Sequence, residues 1–271
     1  MMRATSRVSL ERVTERFEAV VRAAGAGSAE FASHLFALVD ALDSSGSLRR
    51  TLTDPSIDGA AKEGLARTIL AGAAPQVVDI VADLVRSRWS TEADLAEAVE
   101  ELGFQSALAS AEASGDLVRV EDELFRITRA LIGQREVRRA LFDVQAGAER
   151  RTALVDGILA GRTTPATALI ARRAAASPRG RRFVATLVHV GELAAVRRDR
   201  LVASVTAGSE LSEAQRVRLA TILGRAYGGE VQLNVTVDSA VLGGLRIQIG
   251  PDVVDSTVLS RLDDARRQLA S

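Results

Sequence analysis

Two histidines, one lysine and no cysteine are what this chain offers for chemistry. His34 and His189 stand apart from any cluster of His, Asp and Glu at metal-ligand spacing, so neither has the companions that a metal site needs. Both read as structural helix residues. The lone lysine sits in Ala61-Lys62-Glu63, whereas a phosphate loop needs Gly-Lys followed by Ser or Thr. No serine occupies a Gly-x-Ser-x-Gly elbow. The absence of cysteine removes disulfides, thiolate nucleophiles and cysteine metal sites. Gly228-Gly229 and Gly243-Gly244 suit turns better than an anion cradle. An enzyme has no residues to rest on here, and no cofactor is expected.

The arginine groups at 49–50, 138–139, 172–173, 181–182 and 197–198 raise the question of nucleic acid. Aromatic residues to interleave with them are scarce, at 3%, and 35 acidic residues balance 35 basic ones. A formal net charge of zero gives no bulk attraction to RNA or to an anionic membrane. Solvated helix faces and salt bridges to partners are the better reading of these groups. That nearly every basic residue is arginine reads mainly as coding bias. Trp89, the single tryptophan, serves equally as a core or an interface anchor. No apolar run approaches the roughly 20 residues of a membrane span, and no apolar signal core follows the first residues. A role at a membrane would therefore be without direct insertion.

The elements that position these residues are helices for most of the chain. Hydrophobic residues make up 47%, with few aromatics, so the cores must be Ala, Leu and Val, which favours closely packed helices. Val13, Phe17, Val20, Val21 and Ala24 share one helix face within 8–24. Phe31, Leu35, Leu38, Val39 and Leu42 form a second stripe. A short helical piece, Leu48 to Leu52, stops at Asp54-Pro55. Helices then follow over 62–71, 75–89 and from 92 onward. Phe183, Leu187, Val188, Leu193 and Val196 form the inward face of a later helix, with the arginines from Arg197 facing out.

The helical region repeats itself. Ile69-Leu70-Ala71-Gly72 recurs as Ile158-Leu159-Ala160-Gly161, 89 residues on. The same offset aligns Leu35-Phe36 with Leu124-Phe125, Ala41-Leu42 with Ala130-Leu131, and Arg49-Arg50 with Arg138-Arg139. It also aligns Leu52 with Leu141, Asp54 with Asp143 and Leu65 with Leu154. So many matches in one register argue for a duplicated unit. His34 falls on Glu123, so the repeat preserves no shared base or ligand. The last helix of the first copy and the first helix of the second overlap in this arithmetic. One long helix, roughly 92–113, is therefore expected to close one bundle and open the next, and a break near Gly103 would contradict it. The chain divides as 1–105, 106–200 and 201–271: mainly α, two tandem six-helix bundles, then a small α+β module.

In that module the period changes. Leu201 to Thr206 reads as a strand, and Ser212 with Gln215 forms a capping box. The helix 213–226 that follows is expected to bury Val217, Leu219, Ile222 and Leu223. Val231, Leu233, Val235 and Val237 alternate with polar residues, and Leu245, Ile247 and Ile249 repeat the pattern. Gly250-Pro251-Asp252 reads as a turn, and Asp255 or Ser256 as the cap of a last helix. The expected order is strand–helix–strand–strand–helix.

The stretch Val237-Asp238-Ser239-Ala240-Val241-Leu242-Gly243-Gly244, its alternating strand, Gly250-Pro251-Asp252-Val253-Val254-Asp255-Ser256 and the closing helix resemble the C-terminal signature of the delta subunit of F-type ATP synthases, the oligomycin-sensitivity-conferring protein family. Asp238, Gly243, Gly244, Gly250 and Asp255 carry that signature. Ser239 stands where the family usually has Pro, and Ser256 near its usual Gly. The Leu-Phe, Ala-Leu and Arg-Arg-x-Leu-x-Asp pattern of the helical copies also resembles the family's N-terminal bundle, with the Pro after that Asp present in the first copy (Pro55) and replaced by Val144 in the second.

The resemblance implies a stator component without chemistry of its own, present in a single copy in a hetero-oligomer. It would hold α subunits of the catalytic head to b subunits of the peripheral stalk at the cytoplasmic face of a bacterial membrane. The family further suggests a groove between the first and fifth helices of a bundle for an α-subunit segment. In the first copy that means Val13, Phe17, Val20, Val77, Ile80, Val81 and Leu84; in the second, Leu102, Leu108, Leu169 and Ile170. These residues are equally the expected core. Residues from about 94 onward match one family-length subunit, so 1–93 are an addition expected to extend or stiffen the stator. A helical adaptor of another complex, or an RNA-binding protein using the C-terminal sheet, is the alternative.

Overall fold

A computed structural model describes residues 3–199, 202–227, 231–238, 241, 244–249 and 252–255. The chain forms two compact units, Met1–Ala194 and Ala195–Ser271. The first is helical, with α1 (Ala4–Ala24), α2 (Ser28–Ser44), α3 (Gly46–Thr53), α4 (Gly59–Ile69), α5 (Pro75–Arg86) and α6 (Glu92–Ala113). It continues with α7 (Leu117–Ala130), α8 (Arg135–Phe142), α9 (Ala148–Leu159) and α10 (Pro165–Ala176), and ends in α11 (Phe183–Asp199), whose last turn runs on into the second unit's range.

Local chemistry sets the helix ends. Ser45 accepts a hydrogen bond from Leu48 N to start α3, and Asp58 accepts one from Ala60 N to start α4. Pro75 and Pro165 occupy first turns, where a missing N–H costs nothing. Thr91 and Asp94 cap each other at the start of α6.

The duplication is visible element by element. Moved by 89 residues, α3 lands on 135–142, the bounds of α8. Likewise α2 lands on 117–133 against Leu117–Ala130, α4 on 148–158 against Ala148–Leu159, and α5 on 164–175 against Pro165–Ala176. A structural contact repeats with them. Lys62 Nζ donates to Asp54 O at 3.0 Å, and Arg151 Nη1 donates to Asp143 O at 2.9 Å, both from buried side chains. The single lysine thus closes the corner between α3 and α4, a role its composition alone did not suggest.

The expected shared helix is present. Helix α6 runs unbroken through Gly103 from Glu92 to Ala113. Its Leu95, Val99 and Leu102 belong to one hydrophobic core, its Phe104, Leu108 and Ala111 to another. A helix with apolar residues on two opposite faces packs into two cores at once. Gly103 allows the close approach of α2: a Cβ there would lie 2.8 Å from Phe36 Cδ1. The Phe36 ring instead lies on the glycine and meets Phe104 edge-on, centroids 5.3 Å apart. The division expected at 105/106 falls inside this helix.

Two parts of the α11 reading are corrected. Phe183 and Leu187 are buried and Leu193 packs on the second core, but Val188 and Val196 are exposed and Arg197 is buried. A 17-residue helix with apolar groups on most sides cannot bury all of them against one neighbouring face.

The second unit contains β1 (Val202–Ala207), α12 (Glu213–Tyr227), β2 (Gln232–Val237), β3 (Leu245–Ile249) and β4 (Asp252–Asp255) in one sheet of order β2-β1-β3-β4. β1 pairs parallel with β2 through the α12 crossover and antiparallel with β3. Ala203, Val205, Leu223, Val231, Ile247 and Ile249 form its core. The capping box is formed, Ser212 N to Gln215 Oε1 at 2.8 Å and Gln215 N to Ser212 Oγ at 3.3 Å. Of the four apolar residues expected to be buried on α12, Leu223 is buried and Leu219 packs on the core, while Val217 and Ile222 are exposed. One sheet face accepts one stripe of a helix, and 219/223 is that stripe. Asp255 ends β4, paired with Arg246. The expected closing helix lies outside the described residues.

Candidate partner-binding surfaces

The residues expected to line grooves lie in the two helical cores, each in that of its own repeat except Leu102, which was expected in the second repeat and packs in the first core because α6 turns that face to it. Val13, Phe17, Val77, Ile80, Val81, Leu84 and Leu102 are buried in the first core, with Val20 packed against it. Leu108 and Ile170 are buried in the second, with Leu169 packed against it. An Arg16–Asp83 ion pair spans α1 and α5. Trp89 is an anchor of the first core, its indole donating to Leu84 O at 2.8 Å.

Between the repeats, α2 of the first lies over α6 and α10, and its Ala32 and Phe36 belong to the second repeat's core. Buried Arg173 on α10 donates to Asp40 at 2.7 Å and faces Glu100 on α6 at 3.4 Å. Its guanidinium stacks 4.9 Å above the Phe36 ring. Arg179 reaches Asp43 at 3.0 Å and Glu100 at 3.6 Å, and Arg181 approaches the same Glu100 at 3.6 Å. A carboxylate this buried is tolerated because several cations converge on it. His189 joins the seam, 2.7 Å from Glu101. The hydrogen bond that its imidazolium donates to the Glu101 carboxylate raises its pKa above the ordinary histidine value, against the opposing effect of burial. The surface between α6 and α10 is thus occupied from within the chain.

The substitution of His34 by Glu123 across the repeat has a local consequence. Burial pushes the Glu123 pKa up, but hydrogen bonds from Thr164 N–H, the Thr167 and Thr164 hydroxyls and Arg119 outweigh it and hold the carboxyl below its ordinary value. At the matching place in the first repeat Pro75 has no N–H to give, and His34 Nδ1 is buried without a partner.

Among the described residues of the two helical repeats, exposed large apolar side chains lie mostly on the second. Val118, Phe125 and Ile132 are 61%, 61% and 68% exposed and stand seven residues apart, along and just past α7. Phe125 is the repeat partner of buried Phe36. Glu192 stands where the offset places Gly103, so the glycine that receives Phe36 in the first repeat has no counterpart for Phe125 in the second. A separate cavity of about 360 Å³ is lined by Arg135, Arg138, Arg139, Phe142, Arg182, Phe183 and Val184. No motif marks it in the sequence, where only the 138–139 and 181–182 pairs stood out.

In the second unit, Asp238 N donates to Ala207 O at 2.9 Å and Asp238 O accepts from Val241 N at 3.0 Å. This turn packs on Gly208, where a Cβ would run into the Val241 carbonyl oxygen. Gly208 matters to the turn and was not singled out by sequence pattern. Gly244 takes φ 107°, a conformation that glycine adopts freely. Gly243 and Gly250 lie outside the described residues. Among the described residues there is no group of three metal-ligating side chains, and no helix is long and apolar enough to cross a membrane.

With that geometry in view, the family described as ATP synthase delta (OSCP) subunit matches residues 105–269. The ATP synthase subunit delta of Beutenbergia cavernae is 53% identical over 99% of this chain and 100% of its own length. The chain belongs to the ATP synthase delta (OSCP) family. The subunit delta of Kineococcus radiotolerans is 41% identical over 98% of this chain and 96% of its own, and that of Streptomyces griseus 40% identical over 99% and 100%. The family match begins inside α6, so it covers the second repeat and the sheet unit; these full-length relatives align with the first repeat as well. Delta subunits are stator components of the F-type ATP synthase, and this chain is one.

Proposed function

We propose that this subunit joins α subunits of the catalytic head to b subunits of the peripheral stalk, at the cytoplasmic face of the membrane, and performs no chemistry of its own. The observation that carries this reading is full-length membership of the delta family in a chain whose two helical repeats are fused through one unbroken helix. A stator must resist torque while the rotor turns, and a junction made by one continuous helix packed into two cores resists bending better than a flexible linker. The reading assigns the first repeat to stiffening and extension. Because α2 already covers the α6–α10 surface, an α-subunit segment meets the second repeat elsewhere or binds the first repeat.

Cross-linking mass spectrometry on the purified complex tests the partners. Cross-links from this chain to both α and b support the proposal. A complex in which the chain cross-links to neither, while remaining bound, contradicts it.

A further inference from the structure

The cavity between α8 and the start of α11 gathers four exposed arginines in a chain of zero net charge. Arg135, Arg138 and Arg139 come from little more than one turn of α8, and Arg182 from the segment just before α11. Among the described residues none of the four has a side-chain hydrogen bond or ion pair. Their floor is apolar: Phe142, 45% exposed, with Phe183 and Val184.

Comparison with the first repeat shows that this surface is specific to the second. Moving the seven lining positions back by 89 gives Gly46, Arg49, Arg50, Thr53, Ala93, Asp94 and Leu95. There Arg49 is tied to Leu42 O at 2.9 Å and Thr53 Oγ1 to Arg49 O at 2.8 Å. Asp94 is buried and spent in the Thr91 capping box. The second repeat has arginine in place of Gly46 and Ala93 and phenylalanine in place of Thr53 and Asp94. It therefore combines four free cations with an accessible aromatic ring, where the first repeat has one exposed arginine, Arg50, and no aromatic ring.

We infer that this cavity docks an acidic amphipathic helix of a partner protein. Guanidinium groups pair bidentately with carboxylates, and cations three and four apart on α8 match carboxylates at the same spacing on a facing helix. The apolar floor needs an apolar side chain from the same helix, which a phosphate or a nucleic-acid backbone does not supply. The inference does not depend on the stator reading, because it concerns the isolated chain.

The test uses the full-length protein and a synthetic peptide of roughly 18 residues, about five helical turns, with Leu on one face and Glu on the other. Binding is followed by fluorescence anisotropy. The amphipathic peptide is expected to bind saturably, and more weakly as salt rises. The pair R138E/R139E, and separately F142S, are expected to weaken it at least about tenfold while the circular dichroism spectrum is unchanged. R12E, at an exposed arginine on α1, is expected to leave affinity unaltered. Equal binding of a peptide with the same composition in scrambled order would overturn the inference, as would equal losses with R12E. Tighter binding of inorganic phosphate, anionic vesicles or single-stranded RNA through the same arginines would also overturn it.

Discussion

Glu100 faces Arg173, Arg179 and Arg181, all from the second repeat, although it lies in the part of α6 that closes the first. Removing one partner of a buried charge network leaves the others desolvated and unpaired. Glu100→Ala is therefore expected to destabilise the helical unit by about 3–5 kcal/mol, read as a lower urea midpoint. Phenylalanine at one repeat position gives a contrast. Phe36→Ala removes a buried ring and should cost about 3–5 kcal/mol, whereas Phe125→Ala, at an exposed ring, should change stability by less than about 0.5 kcal/mol; thermal or urea unfolding of the two variants measures both. His189 gives a pH signature. Its folded pKa is raised, so its contribution to stability is full below the unfolded value of about 6.5 and is lost as pH rises through the folded value. Unfolding free energy measured against pH should fall across that window in the native protein, and His189→Gln should flatten that part of the profile.

At the scale of elements, α6 organises the helical unit. Gly103→Val places a branched side chain against a Phe36 ring held by Phe104 and Arg173, with an expected cost of about 1–3 kcal/mol and a lower melting temperature. The shared helix was legible because a gapless offset of 89 made two expected helices overlap. The role of Gly103 was not, since a lone glycine in a helical pattern does not say which neighbour approaches it. The seam network escaped because Arg173, Glu100 and Asp40 are distant in sequence and carry no periodic signal. The candidate groove residues rest on the family resemblance, and residues at their helical spacing serve equally as core; Phe17 and Leu84 are buried in the chain by itself. In the sheet unit the alternation of Leu245, Ile247 and Ile249 revealed β3. β4 was hidden, because Asp252-Val253-Val254-Asp255 is short and its ends resemble a turn and a helix cap.

At the scale of the whole molecule, the duplication converts one delta-type bundle into two that cannot be separated without opening α6. The family match from residue 105 and the full-length relatives together describe a delta subunit lengthened at its N-terminal side. The role proposed for it is mechanical. The most direct measurement is ATP-driven proton pumping in membrane vesicles stripped of this subunit, after adding back either the full chain or residues 94–271. The full chain is expected to restore pumping and to keep the head on the membrane, and residues 94–271 to restore less of both. Pumping that needs neither addition would contradict the stator role, and equal restoration by the shorter chain would contradict the part assigned to the first repeat.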